Sequence, residues 1–189
     1  MKIIGVAGTN GAGKDSIGEM LAERHKWLYV SISDILRRGL EEQGLAIERN
    51  NLRNLSARWR RESGLGVLID KALETFEKDG GSEKYQGLAI ASLRNPGEAD
   101  RIHELGGKIV WVDADPKVRY ERIVSRLRSD EDRKTYEEFL AEEQAEMQHS
   151  GDEATLSISA VKALADISLE NNGKDLEAFK DVAEKALHL

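Results

Sequence analysis

The strongest chemical signal in the chain lies near its N-terminus. Gly8-Thr9-Asn10-Gly11-Ala12-Gly13-Lys14-Asp15 has the form G-x-x-x-x-G-K, the pattern of a phosphate-binding loop. Its chemistry follows from the residue types. Glycines let the backbone wrap around phosphate oxygens at positive φ, with no Cβ in the way. The inward N–H groups form an anion nest, and the N-terminus of a following helix adds about half a positive charge. Lys14 then reaches the outer phosphates as a point charge. A serine or threonine usually follows the lysine and holds Mg²⁺; here Asp15 stands there, with Ser16 next. A carboxylate can hold Mg²⁺ directly or through water.

Such a loop works only if a strand delivers it and a helix receives it. Residues 2–7 (KIIGVA) form a short apolar run, the pattern of a buried strand. A helix is predicted from near Gly13 to about His25, with Ile17, Met20 and Leu21 on one face. Further strands are predicted at 27–30, 88–91, 108–112 and 166–169. Further helices are predicted at about 34–43, 51–62, 65–78, 96–105, 116–127, 134–147 and 176–187. Pro96 and Pro116 open two of them, because the first helical turn does not need the missing N–H. Apolar strands alternating with helices predict a three-layer α/β/α fold, with a five-stranded parallel sheet covered on both faces. Residues 31–80 interrupt the alternation with helices alone. A small mobile helical insertion is therefore predicted at the C-terminal edge of the sheet, where α/β proteins bind ligands.

Composition narrows the function classes. A chain of 189 residues corresponds to a single domain, 1–189, at about 150 residues per domain. Its hydrophobic fraction of 40% and charged fraction of 33% fit neither a disordered nor a membrane-embedded chain. No apolar run of ~18 residues suggests a membrane span. Residues 1–8 are too short and too glycine-interrupted for a signal peptide, so a cytoplasmic location is expected. The absence of cysteine excludes a disulfide scaffold and a thiol nucleophile. A net charge of −7 argues against general nucleic-acid binding. The charge is uneven, however. Residues 129–189 hold 6 Lys/Arg and 16 Asp/Glu, whereas the preceding 128 residues hold 22 and 19. Two stretches stand out as basic: residues 37–61, with seven arginines, and residues 117–128, with five Lys/Arg. They suggest local anion sites in an acidic protein.

Three further segments carry a resemblance. Ser31-Ile32-Ser33-Asp34-Ile35-Leu36-Arg37 resembles the adenylate-kinase segment that reads roughly S-T/S-G-D-x-L-R. Leu88-Ala89-Ile90-Ala91-Ser92-Leu93-Arg94-Asn95-Pro96-Gly97-Glu98 is similar to the V-I-D-G-x-R segment of an archaeal adenylate-kinase-like family. It is also similar to the D-V-R-x-P-N-E segment of phage deoxynucleoside monophosphate kinases. The phage kinases and animal phosphomevalonate kinases also share the G-K-D form of the loop. Residues 113–126, with Arg122 and Arg126 four apart, resemble the adenylate-kinase helix that leads into the lid. The segment 50–72, with Arg61-Glu62-Ser63-Gly64-Leu65-Gly66, also looks like the archaeal family. Together these span most of residues 1–172, and the chain resembles the P-loop nucleoside monophosphate kinases, with dephospho-coenzyme A kinase as a near neighbour.

That resemblance implies a P-loop NTPase fold and an ATP-dependent phosphotransferase using Mg²⁺. Gly8, Thr9, Asn10, Gly11, Ala12, Gly13, Lys14, Asp15 and Ser16 would hold the donor, with Asp15 and Ser16 at the metal. The turn Asn171-Asn172-Gly173 would read adenine beside Arg122. Arg37 and Arg94 would hold the acceptor phosphate, with Asp34, Arg58 and Arg61 facing the acceptor. Arg122, Arg126 and Arg128 would close over the transferring group, in a short lid at about 126–134. Trp59 would either stack on a base or pack as an ordinary aromatic. The expected partner is a small phosphorylated acceptor, a nucleotide or dephospho-coenzyme A. No nucleic acid and no membrane are expected, and the chain is expected to be a monomer or weak homo-oligomer. One departure stands against the pattern. The aspartate that usually ends the third strand is replaced by Ala91 or Ser92, depending on register. Asp15 is one substitute, and Asp34 and Asp113 are others. If none serves, the alternative is a nucleotide-binding regulatory ATPase without a small acceptor.

Overall fold

The computed structural model describes residues 2–126, 135–147 and 151–189, with Arg126 described in its backbone alone. The chain opens with β1 (Lys2–Gly8), α1 (Lys14–His25), β2 (Leu28–Ser31), α2 (Ile32–Glu42), α3 (Arg49–Ser63), α4 (Val67–Lys78) and a single turn, α5 (Gly81–Lys84). It continues with β3 (Gly87–Leu93), α6 (Pro96–Glu104), β4 (Lys108–Asp113), α7 (Pro116–Arg126) and α8 (Tyr136–Met147). It closes with α9 (Ile158–Ala163), β5 (Ile167–Glu170) and α10 (Leu176–Ala186). The predicted strands and long helices are all present, with ends displaced by one to a few residues. The short α5 and α9 lack a run long enough to show helical periodicity.

The five strands form one parallel sheet in the order β2-β3-β1-β4-β5. β1 lies at its centre, and every residue of β3 is buried, as a sheet covered on both faces requires. Side chains alternate along each strand and so divide into two cores. On one face Ile4, Val6, Ala89, Val110 and Val112 pack against α1 and α10, through Ile17, Met20, Leu21, Phe179 and Ala183. On the other face Val30, Leu88, Ile90, Ile109 and Trp111 meet α2, α4, α6 and α9. The chain visits β2 and β3 on one side of β1 and then crosses to β4 on the other. The loop after β1 therefore opens at a topological switch point, outside the C-terminal ends of the strands.

The helices of residues 31–80 do not form a core of their own. Leu36 and Leu40 of α2 and Leu68, Ile69, Ala72 and Phe76 of α4 belong to the same apolar cluster as Leu88 and Ile90. The expected helical insertion therefore shares its core with the sheet. α2 and α4 bury apolar faces against the sheet, and only α3 is mainly polar, contributing Leu55 with Leu52 and Trp59 at its margin. Trp59 is a packing aromatic. A Cβ on Gly39 would lie 2.5 Å from its ring, and Lys71 Nζ sits 4.4 Å from the ring centre on the other side.

Candidate active site

The loop after β1 takes the shape its glycines allow. Gly8, Gly11 and Gly13 have φ of 145°, 79° and 99°. All three are also required by close approach, a Cβ on Gly11 falling 2.8 Å from the Arg119 carbonyl oxygen. A Cβ on Gly8 would lie 2.0 Å from the Val112 carbonyl oxygen, and one on Gly13 would lie 2.5 Å from Asn171 Nδ2. Neighbouring strands hold the loop in place. The Thr9 N–H donates to the Val112 carbonyl at 3.3 Å, and Thr9 Oγ1 donates to Asp113 Oδ1 at 2.8 Å. Asn171 Nδ2 donates to the Ala12 carbonyl at 2.9 Å. Lys14 Nζ folds back to the Thr9 carbonyl at 2.7 Å. Gly13 is the N-cap of α1 and, as a glycine, brings no capping side chain of its own. The start of a helix presents backbone N–H donors and a positive dipole end that suit an anion.

Carboxylates flank the loop on two sides. Asp15 Oδ1 accepts the Tyr29 hydroxyl at 2.9 Å. Burial, then the charge of Asp15, pushes the Tyr29 phenol well above its ordinary value, so Tyr29 stays a donor to that carboxylate. Asp113 ends β4 and accepts from Thr9 and from the Ala114 N–H at 2.9 Å. Burial pushes the Asp113 carboxyl up. The Thr9 and Ala114 hydrogen bonds and the charges of Arg119 and Lys162 outweigh burial and hold it below the usual range. Among the described residues no group of three or more His, Asp or Glu could hold a metal alone. Mg²⁺ needs no such cage, because it takes one or two carboxylates, waters and substrate phosphates. The oxygen donors of Asp15, Ser16 and Asp113 around the loop fit it.

The turn expected beside the loop is there, and Arg122 is on it. Arg122 Nη2 donates to the Gly173 carbonyl at 2.7 Å and to Asn171 Oδ1 at 3.4 Å. Its Nη1 is buried with no hydrogen-bond partner among the described residues, and burial lowers the guanidinium pKa. Asn172 Oδ1 accepts the Asp115 N–H at 2.7 Å, which ties the turn to the start of α7. Arg122, Asn172 and Gly173 are thus brought together next to Gly13. Arg128 and most of the expected lid at 126–134 lie outside the described residues, as does the side chain of Arg126.

The acceptor-side arginines separate. Arg37 pairs with Asp34 of its own helix at 2.6 Å, both well exposed. Arg58 donates to Gln43 Oε1 at 2.5 Å, and Arg61 is paired with Asp152 at 2.8 Å. Arg94 is different: Nη1 meets Glu146 Oε2 at 2.8 Å. Glu146 lies on α8 and also pairs with Arg53 at 2.8 Å and with Arg49 at 3.7 Å. Arg49 in turn pairs with Glu142 at 2.7 Å. Next to this cluster Arg119, only 3% exposed, donates to the Ala114 carbonyl at 2.7 Å and pairs with Glu143. Arg49 and Arg53 are separated by one helical turn, as are Glu142 and Glu146, so each pair shares a helix face. That spacing was present in the sequence. What it lacks is any sign that these two faces meet.

A second missed feature supports Arg94 from below. Arg60 and Glu98 form a fully buried ion pair at 2.6 Å, with side chains 1% and 0% exposed. The other oxygen of Glu98 accepts the N–H groups of Arg94 at 2.8 Å and Asn95 at 3.1 Å. Asn95 caps α6 and also donates to the Glu153 and Thr155 carbonyls, both at 2.8 Å. The described part of the 148–157 loop is therefore tied to the Arg94 turn. Ser92, with φ of 73°, settles the register of this segment. A left-handed residue stands where V-I-D-G-x-R has glycine, so Ala91 stands at its aspartate.

An AAA domain matches residues 4–148. The UPF0200 protein of Sulfurisphaera tokodaii is 30% identical over 188 residues, covering 99% of this chain and 96% of the relative. The chain belongs to the AAA domain family and to the UPF0200 proteins. The UPF0200 protein of Methanococcus maripaludis strain C6 is 27% identical over 183 residues, 96% of this chain and 94% of the relative. Among solved structures, a shikimate kinase from Bacteroides thetaiotaomicron superposes with TM-score 0.60 at 13% identity, covering 99% of this chain and 98% of that one. The shikimate kinase from Acinetobacter baumannii in complex with shikimate gives 0.52 at 17% identity, covering 99% and 90%. At such identities the likeness is one of fold: this UPF0200 chain has the P-loop kinase fold. No helix among its described residues is long and apolar enough to cross a membrane.

Proposed function

We propose that the chain is an ATP-dependent phosphotransferase of the nucleoside monophosphate kinase type, moving the γ-phosphate of ATP to a small phosphorylated acceptor. One observation carries the reading. One small cavity is lined by Thr9 and Asn10 of the phosphate-binding loop, by Arg49, and by Glu146, the carboxylate on which Arg49, Arg53 and Arg94 converge.

Phosphoryl transfer needs positioning and charge neutralisation more than covalent chemistry from the protein. The loop amides, the start of α1 and Lys14 would hold the donor phosphates. Arg122 and the turn at Asn172 and Gly173 would border the base. Mg²⁺, when bound, neutralises charge on the outer phosphates and aligns them for in-line transfer. Arg94, fixed through its own N–H by Glu98, would meet the acceptor. An acceptor phosphate is already ionised at neutral pH, so its oxygen attacks the γ-phosphorus with no general base. The bond from that phosphorus to the β–γ bridging oxygen breaks, and ADP leaves with the electron pair. If the acceptor is a hydroxyl, as in dephospho-coenzyme A, a carboxylate must take the proton; Asp34 and Asp113 are the candidates.

The test is ADP production from ATP and Mg²⁺ across each ribo- and deoxynucleoside monophosphate, dephospho-coenzyme A and a blank. One acceptor should raise turnover far above the blank. Equal rates with and without every acceptor would overturn the reading in favour of an acceptor-independent ATPase.

A further inference from the structure

The α8 helix lies between the loop and the arginines, anchored by Phe139 against Tyr120 and by Met147 at the core, and tied to the arginines by carboxylates. Its buried side chains are Phe139 and Glu146. The other ties are Glu142 to Arg49 and Glu143 to Arg119. The cavity left between α8 and the loop measures about 20 Å³, room for roughly one water and not for a phosphoryl group. Glu142, Glu143 and Glu146 of α8 line that cavity beside Thr9, Asn10 and Arg49.

We infer that Arg49, Arg53 and Arg94 are the seat of the acceptor's phosphate, and that Glu146 occupies this seat as an internal stand-in which a phosphate monoester displaces. This rests on the kinase reading for the identity of the ligand, but the anion site itself does not depend on turnover. Three features support it. Arginines from two separate elements, α3 and the turn after β3, converge on one carboxylate that is only 9% exposed. Arginine forks bind carboxylate and phosphate alike, but a phosphate monoester offers three acceptor oxygens to the three arginines where a carboxylate offers two. Second, Arg49, Arg53 and Arg94 with Glu142 and Glu146 carry three positive and two negative charges. A phosphate monoester brings nearly two negative charges at neutral pH, so exchanging it for Glu146 brings these groups close to neutrality. Third, Arg53 Nε is buried with no hydrogen-bond partner among the described residues, a donor that Glu146 leaves unused.

The structure also indicates which side yields. Arg94 is fixed through Glu98 and the buried Arg60, and Arg60 belongs to α3 with Arg49 and Arg53. The three arginines are thus braced together from beneath. α8 is joined to them by ion pairs that an anion competes for. In this arrangement the covering helix leaves when the acceptor arrives, and an acceptor without a phosphate has no means of dislodging it.

The test uses inorganic phosphate as the probe, at constant ionic strength, in the full chain carrying Lys14→Ala to silence the loop. Glu146→Gln in this background should tighten phosphate binding at least tenfold, read by calorimetry. Adding Arg53→Gln should cancel most of that gain. Unchanged phosphate affinity on Glu146→Gln, or indifference to Arg53→Gln, would overturn the proposal. A measurement on the unsubstituted chain guards against a misfolded variant. Phosphate should speed amide exchange in residues 137–147 and slow it in residues 49–60. Exchange in 137–147 that is unchanged or slowed would equally overturn it. Phosphate binding of this kind without acceptor-stimulated ADP formation would leave the site standing and remove the kinase reading alone.

Discussion

The two halves of the candidate site are built by different physics. The donor half is a matter of backbone. Gly8, Gly11 and Gly13 at positive φ, a strand behind them and a helix in front are enough to aim N–H groups at an anion. The acceptor half is a matter of side chains from distant elements. Arg49, Arg53, Arg94, Glu142 and Glu146 come from α3, the turn after β3 and α8. The first half is one continuous run of residues, steadied by Val112, Asp113 and Asn171. The second exists only when three elements have docked, and its charges hold a covering helix in place. A preformed donor loop facing an acceptor seat filled from within would restrain ATP turnover until the acceptor is present.

This contrast can be broken most sharply at the loop. Lys14→Ala should lower acceptor-stimulated ADP formation by more than about 10³-fold, at the top of the range for a lost charge-stabilising donor, with the melting transition preserved. Near-normal turnover would remove the donor half of the account. The brace under the acceptor half should show itself in stability. Arg60→Leu leaves Glu98 buried and unpaired, which should cost about 3–5 kcal/mol, read by denaturant unfolding. A loss below about 1 kcal/mol would mean that Glu98 finds another partner or takes up a proton. Arg94→Ala should reduce kcat/KM by about 10²–10³; an effect under about tenfold would place it away from the transferring phosphate.

The pH dependence of stability sharpens the acceptor half further. Burial pushes the Glu146 carboxyl up, but the charges of Arg94, Arg49 and Arg53 outweigh it and bring it down from 4.5 to about 2. A carboxyl lowered on folding stabilises the fold fully above its unfolded pKa. That stabilisation is lost as pH falls through the folded value. The contribution, about 3 kcal/mol from the shift, should therefore fade between about pH 4.5 and pH 2. Comparing unfolding free energies of the unsubstituted chain and Glu146→Gln across that interval checks it. Parallel pH curves would mean that Glu146 is not the group held by the arginines.

What the sequence makes legible follows the same divide. The loop, the five strands and the long helices are visible because each is a local pattern of period two, period 3.6 or G-x-x-x-x-G-K. The turn at 171–173 lies beside the loop, with Arg122 donating to the Gly173 carbonyl and Asn171 to the Ala12 carbonyl. On the acceptor side the resemblance picks out Arg94, which pairs with Glu146, and the rest is legible only as composition. The seven arginines of residues 37–61 are evident, but the resemblance points to Arg37, Arg58 and Arg61, which pair with Asp34, Gln43 and Asp152. Arg49 and Arg53 matter through Glu146, some 93 residues away in sequence, and no local pattern records that meeting. Arg60 looks like any helical arginine until Glu98 is found beneath it. The helices of 31–80 read as a separate subdomain because their apolar stripes do not say what they face; the structure shows that α2 and α4 face the sheet.

The central claim is that the γ-phosphate moves from this loop to an acceptor seated on the arginines. The most direct measurement follows the label from γ-³²P-ATP in the presence of Mg²⁺ and the nucleoside monophosphate panel. The account predicts label on one organic acceptor, formed in step with ADP and lost in Arg94→Ala. Label recovered only as inorganic phosphate, at a rate indifferent to every acceptor, would contradict it.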